Sequence, residues 1–255
     1  MLEQITATRY VTPLKEGGSL PGIVEADDLG TYVLKFRGAG QGLKVLVAEV
    51  LVGELARGLG MDVPRLTVID LQAPIAKYEA DEEVQDLLTA SLGLNLGIDF
   101  LPGSFGYDGS RPPEPDVAAD ILWLDALTAN VDRTWSNPNL LVWHRRPWLI
   151  DHGAALYFHH GWPGRGADAE RFAAQRFDAS THVLRDVASS PRAAHERLAP
   201  LLTADLLDRV TALVPDEWLE PAPGLEGPAS LRAAYREHLQ ARVQNPAAWL
   251  PEEAK

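Results

Sequence analysis

Asn130-Val131-Asp132-Arg133-Thr134-Trp135-Ser136-Asn137-Pro138-Asn139 is a polar run that passes directly into the apolar segment Leu140-Leu141-Val142-Trp143. The turn His144-Arg145-Arg146-Pro147 leads to a second apolar segment, Trp148-Leu149-Ile150, which stops at Asp151-His152-Gly153. The two short apolar segments read as a hairpin. Upstream, Val117 to Ala129 has a helical pattern, with Ile121, Leu122, Trp123 and Leu127 as expected core positions. Each polar cluster alone is ordinary turn chemistry, because Asp and Asn bond their own backbone and tolerate left-handed conformations. Their order and surroundings say more than either alone.

Working back toward the N-terminus, Thr31-Tyr32-Val33-Leu34-Lys35-Phe36 is β-branched and aromatic, bounded by Gly30 and Gly38, and reads as a strand. It follows Ile23 to Ala26 across Asp27-Asp28-Leu29-Gly30, a hairpin-like turn, and Ala7 to Leu14 supplies an earlier strand. A helix is expected from about Lys44 to Leu59, closed by Gly60. Its apolar residues fall on nearly every face, so it should be largely buried. Its two acids, Glu49 and Glu54, project about 140° apart and cannot readily share a partner. A buried carboxylate costs several kcal/mol unless paired, so at least one acid needs a cation from elsewhere. Arg65 to Leu71 and Leu94 to Leu101 read as further strands. The Pro/Gly/Asp stretch from Gly106 to Pro115 reads as a boundary, and helical patterns dominate beyond Thr181. The expected architecture is α+β in two lobes: residues 1–105 with an antiparallel sheet and one helix, residues 106–255 mainly helical.

Asp132 and Asn137 are five residues apart, the Asp-x-x-x-x-Asn spacing of a protein-kinase catalytic loop, in which the Asp orients the attacking hydroxyl and the Asn holds magnesium. A strand lysine, Lys35, precedes that loop, a helix acid lies between them, and Asp151-His152-Gly153 occupies the place of a metal-binding Asp-x-Gly. Phosphoryl transfer needs cations on the phosphates, an in-line hydroxyl and exclusion of water. Lys35 can supply the point charge, with Glu49 holding it. Asp151 suits the principal Mg²⁺, since a hard cation prefers carboxylate oxygen together with substrate phosphates. Asn137 or Asn139 can add a neutral oxygen, Asn137 being favoured on spacing. Asp132 positions the acceptor hydroxyl. Asp99, Phe100 and Leu101, at the end of the last N-terminal strand, complete the expected nucleotide-binding set with Lys35, Glu49 and Ser19.

Three segments carry a resemblance. They are Gly30 to Phe36, Asn130-Val131-Asp132-Arg133 through Asn137-Pro138-Asn139-Leu140-Leu141, and Trp148-Leu149-Ile150-Asp151-His152-Gly153-Ala154-Ala155-Leu156. In these the chain resembles the HipA-like kinases, bacterial members of the wider fold shared with phosphatidylinositol kinases, over roughly residues 5 to 215. The resemblance implies an ATP site between a sheet lobe and a helical lobe, and phosphoryl transfer onto protein Ser/Thr, with a small-molecule acceptor as the alternative. It also implies that Ser19, the hydroxyl in the loop Glu16 to Gly22, can be self-modified, and it leaves room for an antitoxin-like protein partner. Two departures stand out. No Gly-x-Gly-x-x-Gly follows the first strand, and Asn130 and Val131 replace the His and Arg that usually precede the catalytic Asp.

Composition narrows the alternatives. The 255 residues carry 23 Lys+Arg against 36 Asp+Glu, a net charge of −13, which disfavours direct nucleic-acid or anionic-membrane binding. No cysteine is present, so disulfides, thiolate metal sites and thiol nucleophiles are excluded. No apolar run could span a bilayer and no export signal is evident, which leads us to expect a cytoplasmic protein. A dinucleotide-binding unit built on Gly38-x-Gly40-x-Gly42 is the main rival, but its glycine spacing is irregular and it requires a parallel sheet. In the favoured reading these glycines make a flexible link to the helix. A pseudokinase and a metal site at His159-His160 are weaker readings.

Overall fold

The computed structural model describes residues 1–14 and 20–252. Ser19 and most of the loop around it lie outside the described residues. The chain separates into two compact units, residues 1–47 with 64–102, and residues 48–63 with 103–255. This differs from the expected 1–105 and 106–255 in placing residues 48–63 with the second unit.

In the first unit five strands close into a barrel in the order β1-β2-β3-β5-β4. They are β1 (Gln4–Pro13), β2 (Gly22–Ala26), β3 (Thr31–Lys35), β4 (Leu66–Leu71) and β5 (Gly93–Asp99). The β2–β3 hairpin forms as its sequence predicts, closed by a turn in which Asp28 accepts a hydrogen bond from the Gly30 amide at 2.9 Å. The sheet is not purely antiparallel as expected. β1 pairs with β4 in parallel, because closing the barrel brings its first strand beside a strand that runs the same way. Antiparallel β5 lies between β3 and β4, which removes the dinucleotide-binding arrangement.

The interior is filled by Val24, Tyr32, Leu34, Phe36, Ile69 and Leu71, all nearly fully buried. A five-stranded barrel has little room, and Gly97 on β5 marks the tightest point. A Cβ there would stand 2.4 Å from Ile69 Cδ1 and 2.9 Å from Thr67 Cγ2. Between β4 and β5 lie a 3₁₀ turn (Ala73–Tyr78) and α2 (Glu82–Ala90), an element beyond the single expected helix. The Asp81 side chain caps α2 by accepting from the Glu83 and Val84 amides. Gly38 is a packing position rather than a flexible link. Its amide bonds Ser91 Oγ at 3.2 Å, and a Cβ would meet the Ala90 carbonyl at 2.7 Å.

Helix α1 (Leu43–Gly58) is buried on nearly every side from Leu46 to Gly53, as its composition requires. It ends in a Schellman motif, with Met61 N–H bonded to Ala56 O, Gly60 N–H to Arg57 O, and Gly60 at φ +88°. The second unit contains α3 (Pro115–Thr128), whose residues from Ala118 to Thr128 are buried apart from the half-buried Asp120, and a three-stranded sheet of β6 (Phe105–Gly106), β7 (Leu140–Trp143) and β8 (Arg146–Leu149). The β7–β8 turn is tighter than its composition implied. Only His144 and Arg145 form it, at φ 48° and 65°, and Arg146 and Pro147 already belong to β8. Positive φ at both central residues gives the twist that a two-residue hairpin needs.

Short helices α4 (Trp162–Arg165) and α5 (Ala169–Ala173) precede α6 (Pro191–Leu198), α7 (Ala204–Leu213), α8 (Pro228–Val243) and α9 (Pro246–Trp249). Arg242 of α8 is fully buried and donates to the carbonyls of Ala126 on α3 and of Phe172 and Gln175. His159 is enclosed by aromatic rings and bonds Tyr235 at 2.8 Å, which makes it a core residue rather than half of a metal site. Among the described residues no helix is long and apolar enough to cross a membrane.

Gly97→Ala is expected to lower the free energy of unfolding by about 1–3 kcal/mol through overpacking. Urea midpoints of the two proteins measure this, and equal midpoints would show that Ile69 and Thr67 yield without strain.

Candidate active site

A buried ion pair lies in the core of the second unit beside the loop of Asp132. Asp125 interrupts the apolar face of α3 and is fully buried, and so is Arg133 in the loop that follows. Arg133 Nε donates to Asp125 Oδ2 at 2.6 Å and Nη2 to Oδ1 at 3.3 Å. The remaining guanidinium donors reach across the loop, with Nη1 bonding the carbonyl of Asn139 and Nη2 approaching His152 Nδ1 at 3.4 Å. His182 Nε2 lies 2.9 Å from Asp125 Oδ2, while its Nδ1 accepts from the Leu184 amide. Burial alone would raise the Asp125 pKa. The Arg133 charge and the His182 hydrogen bond outweigh it and hold the carboxyl well below the usual carboxylate range.

This network fixes the backbone around Asp132. Buried Asn130 donates to Asp125 Oδ1 at 3.0 Å and accepts from the Asp132 amide at 3.2 Å. Thr134 and Asn137 exchange backbone hydrogen bonds at 3.0 and 3.1 Å and close the loop. The Asp132 carboxylate faces two carboxamides, accepting from Asn137 Nδ2 at 2.7 Å and from Asn139 Nδ2 at 3.1 Å. The two candidate asparagines thus share one partner and differ in setting. Asn137 is exposed, whereas Asn139 is buried, at the start of β7, with its carbonyl accepting from the Ile150 amide at 3.1 Å. Hairpin register therefore puts Asn139 opposite the residue before Asp151, a relation that spacing along the chain could not reveal.

Asp151 follows β8 at φ 55°. The next two amides, of His152 and Gly153, donate to Glu49 Oε2 and Oε1, each at 2.9 Å. Glu49 is 1% exposed, so a fully enclosed carboxylate holds the Asp151 corner from behind. Glu54, the second acid of α1, pairs instead with Arg57 at 3.3 Å. Non-glycine residues with positive φ gather around these loops: Ala129 at 55°, Asn139 at 48°, Asp151 at 55° and Leu156 at 54°. Such conformations cost about 1–3 kcal/mol each and persist only where the surroundings over-determine them.

A hard divalent cation fits the donor set. Asp151 offers carboxylate oxygen, and Asn139, whose amide nitrogen donates to Asp132, offers a carboxamide oxygen. No cluster of three or more His, Asp or Glu able to hold a metal occurs among the described residues, so phosphate and water oxygens would complete the shell. The first unit carries the other expected residues. Lys35 is buried on β3 opposite Leu96. The amides of Asp99 and Phe100 bond the carbonyls of Arg65 and Thr31, Leu101 is buried, and the Phe100 ring is 43% exposed.

Sequence reasoning passed over Asp125, although a charge inside Ile121-Leu122-Trp123-Leu124-Asp125-Ala126-Leu127 is the same kind of signal that singled out Glu49. His182 had no signal at all. Removing one partner of a buried pair leaves an uncompensated charge, so Asp125→Ala is expected to cost about 3–5 kcal/mol at neutral pH. Because the folded-state pKa of Asp125 is depressed, its contribution is fully present above the ordinary value of 3.8 and is lost as pH falls below it. Urea denaturation at a series of pH values should show the gap between wild type and Asp125→Ala closing at low pH. A constant gap would contradict the assignment.

The family model for HipA-like kinases matches residues 8–251. Among solved structures, the chain is similar to a Helicobacter pylori proinflammatory kinase, CtkA, with a TM-score of 0.55 and 11% identity over 96% of this chain and 95% of that one. It is more distantly similar to the Golgi casein kinase with Mn/ADP bound, with a TM-score of 0.45 and 13% identity over 95% of this chain and 73% of that one. No curated protein matches the chain. At such identities the structural likeness speaks for the fold alone; the family match, which extends past the expected residues 5 to 215 to nearly the whole chain, shows that this protein belongs to the HipA-like kinase family.

Proposed function

We propose that the chain transfers the γ-phosphoryl group of ATP, with Mg²⁺, to a Ser or Thr hydroxyl of a protein acceptor. The observation that carries this reading is the meeting of Asp132, Asn137 and Asn139 on one carboxylate, beside a hairpin register that delivers Asp151. A fixed carboxylate next to metal-binding oxygens is what in-line transfer to a hydroxyl requires.

This reading gives each residue a role. Asp132, partly exposed, orients the acceptor hydroxyl. Asp151 is the principal Mg²⁺ ligand, and Asn139 is preferred over Asn137 as the neutral one because it is buried and registered to the Asp151 strand. Lys35 supplies positive charge to the nucleotide phosphates, and Glu49 holds the Asp151 corner. Asp99, Phe100 and Leu101 are assigned to nucleobase binding, for which the exposed Phe100 offers a stacking face. The bound Mg²⁺ would neutralise phosphate charge and align the transferring group.

Asp151→Asn is expected to abolish transfer from labelled ATP and to remove the Mg²⁺ dependence of nucleotide binding. Asp132→Ala should retain ATP affinity while turnover falls about 10²–10⁴-fold, the usual share of a positioned acid–base group. Full activity in Asp151→Asn, or loss of ATP binding in folded Asp132→Ala, would reverse these assignments. Comparing Asn137→Ala with Asn139→Ala decides the second ligand. The larger rise in the Mg²⁺ concentration for half-maximal activity is expected for Asn139→Ala. A wild-type chain that binds ATP but labels nothing in a lysate would be a nucleotide-binding regulator instead.

A further inference from the structure

The far end of the β7–β8 hairpin from Asn139 borders a cleft of about 510 Å³ whose lining includes Tyr107, Arg111, Glu114, Val142, Arg145 and Arg146. That volume is within the usual range for ligand sites. Its charge runs against the rest of the molecule. The chain carries −13 overall, yet three guanidinium groups and one carboxylate line this cleft. Arg146 is paired with Asp62 at 2.8 Å. Among the described residues, neither Arg111 nor Arg145 has a carboxylate within ion-pairing distance. Arg111 lies 5.8 Å over the Phe105 ring, with exposed Asp108 as a more distant neighbour, and Arg145 is held at the hairpin tip by its left-handed backbone.

One aromatic contact links the cleft lining to the loop that carries Asp132. Tyr107 stacks on Trp135 with ring centroids 6.1 Å apart at 25°, and Trp135 comes three residues after Asp132. The indole is 58% exposed although it is large and apolar. Gly109, at φ +82°, makes room for it, since a Cβ there would stand 2.9 Å from Trp135 Cη2. Buried Tyr107 thus supports an exposed indole on the loop of Asp132 and also lines a cleft with two arginines that no carboxylate pairs among the described residues.

We infer that this cleft docks an acidic segment of the phosphate-accepting protein, whose side-chain carboxylates meet Arg111 and Arg145 while its chain packs on the exposed Trp135 ring of the loop that carries Asp132. Two observations select this occupant: charge complementarity, in a protein that otherwise repels anions, and the exposed Trp135 ring on the loop of Asp132, held by Tyr107 of the cleft lining. The inference rests on the kinase reading for the identity of the docked protein as the acceptor, but the cleft can be tested without phosphoryl transfer.

The probes are three serine peptides with Glu, Gln or Lys flanking the serine, titrated without nucleotide and followed by tryptophan fluorescence. The Glu peptide should bind most tightly. Arg111→Glu combined with Arg145→Asn, an exchange that keeps a residue tolerant of positive φ at the turn, should weaken it about tenfold or more. Binding of ATP·Mg²⁺ should be unchanged in that variant, which also reports that it is folded. The same variant should gain affinity for the Lys peptide. Equal affinities for the three peptides, or an unchanged preference in the variant, would overturn the inference. Phosphorylation of the Glu peptide by wild type is a separate readout. Its absence alongside charge-selective binding would count against the kinase reading and leave the docking cleft standing.

Discussion

The buried pair of Asp125 and Arg133 is the constraint on which the loops of the second unit depend. Two opposite charges at zero exposure are weak contributors to net stability, because desolvation offsets most of their attraction. Their value lies in what the guanidinium does with its remaining donors. It binds the Asn139 carbonyl and meets His152, so one side chain fixes the end of α3, the loop carrying Asp132, the start of β7 and the turn after Asp151. Asn130 and His182 complete the hydrogen bonding of the carboxylate. A satisfied buried polar network specifies one arrangement, since any alternative strands a charge.

Glu49 extends the same logic to the Asp151 corner. Its two oxygens accept successive amides, a geometry that a left-handed residue before them makes available. The strain of positive φ at Ala129, Asn139, Asp151 and Leu156 is thus held by buried charge on both sides. In the proposed phosphoryl transfer, which leaves the protein little covalent work, such rigidity is the contribution expected of these residues. Groups already positioned need not reorganise when charge develops.

Much of this was legible along the chain. Apolar segments broken by Asp or Asn named Asp132, Asn137, Asn139 and Asp151, and the apolar helix with an isolated acid named Glu49, because local composition responds to burial and turn geometry wherever they occur. The β2–β3 hairpin, α1, α3 and the β7–β8 hairpin were readable for the same reason: their periodicity and turn residues are local. The parallel β1–β4 pairing was not, since barrel closure joins residues more than sixty positions apart, nor was α2, whose cap residue looks like any loop aspartate.

The sequence by itself determined which residue types can perform chemistry and roughly which loops bear them. Only the tertiary structure decided how they meet. Asn137 fits the spacing, yet Asn139 has the burial and the register, because backbone pairing with Ile150 is a relation across a hairpin and has no trace in a five-residue interval. Asp125 and His182 are 57 positions apart and share one hydrogen bond. Glu49 and Gly153 are 104 apart and share another. Hydrogen bonds act over about 3 Å in space, and the chain order that a sequence records sets no limit on which groups folding brings within that distance.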